Sequence, residues 1–182
     1  YDAQDCTLEA KKSWLMAGDE IVALGAGISS TDGRTIETTV ENRKMNPGAD
    51  YRLTLDGEAV LAADGVLNAP SAHWAHFAGV DEHTNVGYWF PQPAAVNLRR
   101  EARTGSWYAI SRPYNPKEPI TRSYFTLWLD HGKSPKDATY AYVLLPGRDA
   151  AATAAFAAAP GVEILANTPQ VQAARNTKEG VT

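Results

Sequence analysis

Cysteine is almost absent from this sequence, because Cys6 is the only one among 182 residues. No internal disulfide can form, so a fold held together by a disulfide framework is excluded. We expect Cys6 to be a buried, unreactive thiol, and a nucleophile is the alternative. Long apolar runs are absent too, since none approaches the roughly 20 residues of a membrane-spanning helix. We therefore expect no membrane partner.

An excess of positive charge is also missing. The chain has 17 Lys and Arg against 21 Asp and Glu, a formal net charge of −4. Such a charge creates no general field that would hold nucleic acid or a polyanionic sugar. Nucleic acid is therefore not expected as a partner, and any anion must bind at a local site. The length fits one domain, 1–182, that can bury a core.

Short strand patterns separated by turn residues fill the sequence. We count about ten strand segments and one clear helix, Ala150–Ala158, which Asp149 can cap and which Pro160 and Gly161 end. Many short strands with frequent turns are typical of an all-β protein. We predict an antiparallel β-sandwich with one short helix.

The segment from residue 19 to residue 44 gives the clearest strand pattern. An apolar run, Ile21–Ile28, precedes Asp32-Gly33, and an alternating run, Thr35–Lys44, follows. An Asp-Gly pair between β-rich runs is a strong hairpin signal. We predict that Ile21–Leu24 pairs with Thr38–Glu41, and that the first run is covered on both faces.

Four further predictions concern pairing and strand ends, and they rest on Gly and Pro positions. They are a hairpin of Tyr51–Leu55 with Glu58–Leu61, a strand Asn85–Phe90 stopped by Pro91 and Pro93, a hairpin about Thr104-Gly105, and a pairing of Ser123–Leu129 with Thr139–Leu145. Gly87 inside a strand indicates a bulge or a close backbone approach, and Asn68–His83, with Pro70 and Gly79, is predicted to be a covered loop.

Several motifs follow one another in the order of a known family. They are Lys12–Met16, Asp19–Ile28, Glu37–Lys44, Asp130-His131-Gly132, Tyr140–Pro146, Val162–Asn167 and Val171–Ala173. Together they resemble the central β-sandwich domain of the polysaccharide lyase family that includes hyaluronate, chondroitin AC and xanthan lyases. The resemblance covers nearly the whole chain. It implies a galactose-mutarotase-like supersandwich and a chain that is one portion of a larger enzyme.

The resemblance also implies a reaction. Family members cleave uronic-acid polysaccharides by β-elimination, which needs a neutraliser for the carboxylate, a base and an acid. An Asn, a His, a Tyr and an Arg supply these functions from a helical domain that precedes the sandwich. This chain carries none of those motifs, so we expect no catalytic residue, no metal and no cofactor in it. We expect a secreted enzyme, with hyaluronate as first choice of substrate, then chondroitin and xanthan.

The sandwich can contribute the opposite wall of the substrate cleft. Strict alternation places Glu37, Thr39, Glu41 and Arg43 on one face and Ile36, Thr38, Val40 and Asn42 on the other. Our candidate substrate-binding residues are Glu41, Asn42 and Arg43, because a guanidinium holds a carboxylate with two parallel bonds. A structural ion pair between Glu41 and Arg43 is the alternative.

Aromatic, basic and histidine side chains give weaker signals. Exposed rings stack on sugars, and the candidates Trp74, Trp89, Trp107 and Tyr108 are otherwise core residues. The cluster Arg99, Arg100 and Arg103 either lies exposed on a sheet face or contacts an acidic sugar. His73 and His76 have a spacing that a helical metal site uses, but a third ligand is missing nearby. His131, beside Asp130 and Gly132, is interpreted as structural.

Two other functions remain open at this stage. The chain could be a free-standing, non-catalytic carbohydrate-binding module, or an adhesion sandwich without a sugar site. A helical region upstream with spaced Asn, His, Tyr and Arg would distinguish a lyase portion from both.

Overall fold

The computed structural model describes residues 6–113 and 115–180. The predicted domain, 1–182, thus includes residues 1–5, 114, 181 and 182, which lie outside the described ranges. The strands are β1 (Glu9–Ala17), β2 (Glu20–Ser29), β3 (Thr35–Met45), β4 (Arg52–Leu55), β5 (Glu58–Val60), β6 (Gly65–Ala78), β7 (Val86–Gly105), β8 (Ile120–Lys133), β9 (Ala138–Pro146), β10 (Val162–Asn167) and β11 (Gln172–Asn176). The helices are α1 (Trp107–Ile110) and α2 (Ala150–Ala158), with a 3₁₀ turn at Glu82–Thr84.

The long strand β7 divides the main sheet into two branches. Its first residues, Val86–Trp89, pair with β9, which continues into β2 and the edge strand β1. Its last residues, 97–105, pair with β8, which continues into β3. Strand β6 follows β7 on its other side and carries the β4–β5 hairpin at its end. Every pairing among the described residues is antiparallel, and the predicted all-β sandwich is confirmed.

The two branches face each other across the larger core. Buried side chains of β2 and β9, such as Ala23 and Tyr142, lie in one cluster with Phe125 and Leu127 of β8. Phe77 of β6 stacks on Phe125 with ring centroids 5.4 Å apart. The core therefore fills the space between layers that diverge from one strand, as in a sandwich made by folding a single sheet.

A second, smaller core covers the outer face of β2 and β9. Val22 and Leu24 pack there with Phe156 of α2 and Val162 of β10. Strand β2 is therefore covered on both faces, as its continuous apolar run predicts. Helix α2 has the predicted bounds, and Asp149 caps it by accepting a hydrogen bond from the amide of Ala152 at 2.7 Å.

The predicted pairing of Ile21–Leu24 with Thr38–Glu41 is wrong. Strand β2 pairs with β1 and β9, whereas β3 pairs with β8. The Asp32-Gly33 turn forms, with Gly33 at a positive φ of 77°, but the chain crosses to the facing layer there. The β8–β9 connection makes the same crossing beside it, and the amide of Ser30 donates to the carbonyl of Pro135 at 3.1 Å. The predicted pairing of Ser123–Leu129 with Thr139–Leu145 is wrong for the same reason.

Prolines do not end the strands where the sequence predicts. Strand β7 runs through Pro91 and Pro93, and β6 includes Pro70 in the segment predicted to be a loop. Residues 91–96 lie between the part of β7 that pairs with β9 and the part that pairs with β8. The β6–β7 register also shifts between Ala69 and Trp74. A missing N–H is tolerated there because the ladder is already interrupted.

Two other turn predictions have opposite outcomes. The Tyr51–Leu61 hairpin is confirmed, and Asp56 and Gly57 both have positive φ angles, 47° and 94°, as a tight two-residue turn requires. The hairpin about Thr104-Gly105 is wrong, because β7 continues to Gly105 and its partner is β8, with Gly105 opposite Ile120. Helix α1 and a loop occupy the intervening connection.

Candidate functional site

The polar surface of the β3–β8–β7 branch carries the candidate site. On β3 the register shifts between Thr39 and Glu41, which is a β-bulge about Val40. Ile36 and Thr38 point to the core before the bulge, and Glu41 and Arg43 point to the core after it. The strict alternation assumed from the sequence is therefore wrong for Glu41 and Arg43, since an extra residue reverses the faces.

Glu41 and Arg43 form a half-buried network between the layers. An Arg43 Nη2 donor lies 2.9 Å from Glu41 Oε2, and the Tyr88 hydroxyl donates to the same oxygen at 2.7 Å. Arg43 Nη1 donates to the carbonyl of Thr84 at 2.8 Å, and its guanidinium lies 5.0 Å from the ring centre of Phe77. Burial and the Glu41 carboxylate raise the pKa of Tyr88 well above its ordinary value, so Tyr88 remains a donor. These contacts match the ion-pair alternative, and a substrate-binding role for Glu41 and Arg43 stays a prediction.

Asn42 points the other way, onto the exposed face. Its side-chain oxygen accepts a hydrogen bond from Arg103 Nη1 at 2.9 Å. Arg103 also donates to Thr126 at 2.8 Å and to Glu101 at 2.8 Å, and its guanidinium lies 4.7 Å from the ring centre of Tyr124. Arg103 therefore bridges β7, β8 and β3 over an aromatic ring, and its charge is balanced by Glu101.

A cleft of about 640 Å³ opens beside Arg103, and we call it the outer cleft. Its lining residues are Asn42, Lys44, Arg103, Thr104, Gly105, Ser106, Trp107, Ala109, Ile110, Ile120, Arg122 and Tyr124. Three of these residues are cationic and none is acidic, in a chain whose net charge is −4. The outer cleft is thus a local positively charged surface, the kind of place at which the composition predicts that an anion would bind.

Two of the three cations in the outer cleft have no acidic partner among the described residues. Lys44 lies exposed on β3, opposite Tyr124. Arg122 lies exposed on β8, directly opposite Arg103, and its one hydrogen bond is to the carbonyl of Thr121 at 2.7 Å. Like charges placed opposite each other across strands are unfavourable on their own. An anion bound between them would remove that repulsion.

Helix α1 places an exposed aromatic ring at the rim. Ser106 caps this single turn by accepting from the amide of Ala109, and the amide of Tyr108 donates to the carbonyl of Pro116 at 3.1 Å. Trp107 is 57% exposed and lines the outer cleft. Of the four predicted aromatic candidates it is the one in the cleft. A sugar ring can stack on such a surface while the cations hold its acidic group.

The other aromatic and arginine candidates lie elsewhere. Trp89 is buried in the smaller core and Trp74 is its half-buried neighbour on β6. Arg99 covers Trp128 on the same outer face, with the guanidinium 5.2 Å from the ring centre. Arg100 turns inward and donates to the carbonyl of Ala62 at 3.0 Å. The arginine cluster is therefore split between the two faces of β7, and only Arg103 reaches the outer cleft.

The histidine candidates have structural contacts. His73 and His76 both belong to strand β6, so their spacing of three residues does not place them on one face of a helix as a helical metal site requires. The Nε2 atom of buried His76 lies 3.0 Å from the carbonyl of Arg148, and burial lowers the pKa of His76. His131 Nε2 lies 2.8 Å from Thr38 Oγ1, whereas Asp130 accepts from the amide of Gly132. No group of metal-ligating side chains is found within residues 6–113 and 115–180.

Lys44, Arg122 and Tyr124 were missed by reasoning from the sequence. Arg122, Tyr124, Thr126 and Trp128 alternate on β8 with buried apolar residues, and this pattern marks an exposed polar face. What the sequence could not show is that β3 and α1 border the same surface. Within the described part of the chain, the cleft lining has neither a histidine nor a carboxylate, so it is suited to binding an anion.

Comparison with known proteins identifies the family. Residues 1–157 match the family model described as polysaccharide lyase family 8, super-sandwich domain. The chain belongs to polysaccharide lyase family 8. It is 46% identical over 177 residues to a xanthan lyase of Bacillus sp. (strain GL1), covering 96% of this chain and 19% of that enzyme. It is 39% identical over 173 residues to a hyaluronate lyase of Thermasporomyces composti, covering 94% of this chain and 22% of that enzyme.

A solved structure agrees with the family-8 assignment. The Paenibacillus xanthan lyase superposes with a TM-score of 0.92 at 43% identity, over 96% of this chain and 17% of that structure. This family-8 chain therefore spans about a fifth of the length of these relatives. The resemblance stated from the sequence motifs is confirmed. No helix among the described residues is long and apolar enough to cross a membrane.

Proposed function

We propose that this family-8 chain is the β-sandwich portion of a secreted lyase that cleaves a uronic-acid-containing polysaccharide by β-elimination. In this proposal the outer cleft forms one wall of the substrate site. The observation that carries it is the pair Lys44 and Arg122, two cations that have no acidic partner in the described part of the chain and lie beside the exposed ring of Trp107. Relatives named for xanthan and hyaluronate, both acidic polysaccharides, support it.

The cleft residues fit the recognition of an acidic sugar by chemistry and by reach. The planar guanidinium of Arg122 can hold a carboxylate with two parallel hydrogen bonds, and Lys44 adds an ammonium group from the adjacent strand β3. Asn42 and Arg103 are already bonded to each other, so they form a rigid base for the cleft. Preorganised partners of this kind lower the cost of ordering side chains on binding.

A division of functions between two domains explains why the outer cleft, whose described lining has neither a histidine nor a carboxylate, can belong to a lyase. Family-8 resemblance implies that an Asn, a His, a Tyr and an Arg on a helical domain carry out the elimination. The sandwich then supplies stability and the far wall of the cleft. Hyaluronate as the particular substrate remains a prediction, because an uronate or another carboxylated sugar would satisfy Lys44 and Arg122 equally.

A binding experiment on the 182-residue chain tests this proposal. Titration with a hyaluronan hexasaccharide, followed by calorimetry and by NMR, should shift the amides of Lys44 and Arg122 and weaken as salt is raised. Arg122→Ala and Lys44→Ala should each weaken binding about fivefold, the value of a partly exposed charge pair. Arg52→Ala, at an exposed arginine on β4 paired with Asp50, is the matched control and should bind normally.

A carboxyl-reduced hexasaccharide supplies the complementary control. It keeps the ring shape and removes the charge, so binding at the outer cleft should be lost. Equal affinity for the acidic and the reduced sugar, or unchanged affinity in the Arg122 and Lys44 variants, would contradict the proposal. A parallel titration with a pyruvylated oligosaccharide would show whether the cleft prefers an uronate or a different carboxylate.

A further inference from the structure

A second cavity lies where β7 departs from β9, and we call it the fissure. It measures about 530 Å³, within the range of small-molecule sites. Its lining residues are Pro91, Gln92, Pro93, Ala94, Ala95, Leu129, Asp130, His131, Thr139, Tyr140, Ala141, Ile164 and Asn167. None of them appears in the lining of the outer cleft.

The branching of the sheet opens the fissure. Strand β9 pairs with β7 only from Val143 to Pro146, opposite Trp89 to Val86. Beyond that point Pro91 and Pro93 carry no N–H to continue the ladder, and β7 turns toward β8. The backbone therefore holds the two strands apart, so the fissure is a preformed feature of the fold.

Tyr140 brings a hydroxyl without a protein partner among the described residues to the wall of the fissure. The residue is only 6% exposed, but its hydroxyl oxygen is not among the unpaired side-chain atoms that are sealed from solvent, and it forms no hydrogen bond with any described residue. Its ring stacks on Tyr142 at 5.7 Å and lies against Gly25, where a Cβ atom would be 2.1 Å from Tyr140 Cε1. Burial raises the pKa of Tyr140 to about 12, so the hydroxyl keeps its proton and can donate. A hydroxyl at the wall of a cavity that solvent reaches and that no described residue bonds is free to donate to a polar ligand group.

The other polar groups of the fissure are uncharged or already engaged. Gln92 is exposed and its amide has no partner among the described residues. His131 uses Nε2 toward Thr38, and burial lowers the pKa of His131, which favours the neutral ring. Asp130 accepts from the amide of Gly132 at 2.7 Å. No lysine or arginine lines the fissure, in contrast to the outer cleft.

We propose that the fissure is a second carbohydrate subsite, which binds an uncharged pyranose unit through the Tyr140 hydroxyl and the Gln92 amide against the apolar wall of Pro91, Pro93 and Leu129. The proposal rests on the proposed function only in taking a saccharide as the ligand. A sugar with one apolar face and several hydroxyls fits neutral donors and acceptors, whereas an acidic sugar would find no cation here. The outer cleft and the fissure therefore select different units of a polysaccharide.

Titration of the 182-residue chain with cellotetraose and with N-acetylchitotetraose, two uncharged probes, tests this. At least one probe should shift the amides of Gln92 and of Thr139–Ala141, and leave those of Lys44 and Arg122 in place. Tyr140→Phe keeps the ring and removes one neutral hydrogen bond, so affinity should fall about twofold to tenfold. Tyr142→Phe is the matched control, because Tyr142 is equally buried, its hydroxyl also has no partner among the described residues, and it does not line the fissure.

Absence of binding by both probes, or equal weakening by Tyr140→Phe and Tyr142→Phe, would overturn the fissure subsite. Gln92→Ala, an exposed change that leaves folding intact, should also weaken binding, and Gln170→Ala is its exposed control. The hyaluronan titration on the same samples keeps the two proposals apart. Loss of acidic-sugar binding would contradict the outer cleft alone, and loss of neutral-sugar binding would contradict the fissure alone.

Discussion

At the scale of single residues, substitution of Arg43 distinguishes a structural role from a substrate-binding role. Its side chain is 30% exposed and holds Glu41 and the carbonyl of Thr84. Removing these charged hydrogen bonds in Arg43→Ala should reduce the free energy of unfolding by about 1.5–3 kcal/mol. Denaturant unfolding measures this free energy. Lys44→Ala on the same strand, at an exposed cation with no acidic partner among the described residues, should change it by less than about 0.5 kcal/mol.

The two variants should show the reverse order in sugar binding. The folded fraction of Arg43→Ala should bind the hyaluronan hexasaccharide like the wild type, whereas Lys44→Ala should bind it more weakly. Wild-type stability together with impaired binding in Arg43→Ala would show that the guanidinium acts on the ligand, as the sequence predicts.

His76 makes stability depend on pH. Its buried ring contacts the carbonyl of Arg148, and burial lowers its pKa from the ordinary 6.5. Below pH 6.5 the unfolded chain therefore binds more protons than the folded protein. The contribution of His76 to the free energy of unfolding is complete above about pH 6.5, and the free energy of unfolding falls as the pH decreases below that value. His131 shifts in the same direction.

Unfolding measured from pH 8 to pH 5 checks this prediction. His76→Gln should flatten the decline in part, because His131 still titrates, while His73→Gln, at an exposed histidine, should leave the decline unchanged. A wild-type protein whose unfolding free energy stays constant between pH 6.5 and pH 5 would refute it.

At the scale of elements, Gly87 controls how α2 lies on the sheet. A Cβ atom at Gly87 would be 2.3 Å from Thr153 Oγ1, and Thr153 is fully buried and bonded to the carbonyl of Asp149. Gly87→Ala should therefore force α2 outward and reduce the free energy of unfolding by about 1–3 kcal/mol. Gly105→Ala on the same strand meets nothing within 4 Å and is the matched control. Equal stability of the two variants would contradict this close approach.

Local sequence signals predicted many of the strands and the helix α2, but they did not predict which strands pair with each other. The N-cap of α2 and the Asp56-Gly57 turn depend on neighbours in sequence, so the sequence revealed them. Gly87 indicated a bulge or a close approach because it lacks a side chain, but the sequence did not show that Thr153 of α2 is the group that approaches it. The predicted pairing of β2 with β3 is wrong because an Asp-Gly turn reverses the chain equally well within one layer and between two layers. The predicted face of Arg43 is wrong because a bulge at Val40 shifts the alternation of side chains along β3. Alternation in the sequence alone does not reveal a bulge.

At the scale of the whole molecule, the candidate site depends on distant elements. Asn42 and Lys44 belong to β3, Arg103 to β7, Arg122 to β8 and Trp107 to α1. The sequence placed Asn42, Arg103 and Trp107 among the candidates, but it could not join them, since the joining contacts arise from the branching of β7. A wall built in this way needs an opposing domain to form an enclosed substrate site.

A chimeric enzyme tests the central claim most directly. In the xanthan lyase of Bacillus sp. (strain GL1), the 177 matching residues are replaced by this chain, and unsaturated product is followed by ultraviolet absorbance. We expect the 182-residue chain alone to form no product and the chimera to form it. We also expect the double substitution Arg122→Ala with Lys44→Ala to lower kcat/KM of the chimera by about tenfold or more, with an unchanged Tm. Wild-type kcat/KM in a folded double variant would contradict the assignment of the outer cleft as a wall of the substrate site.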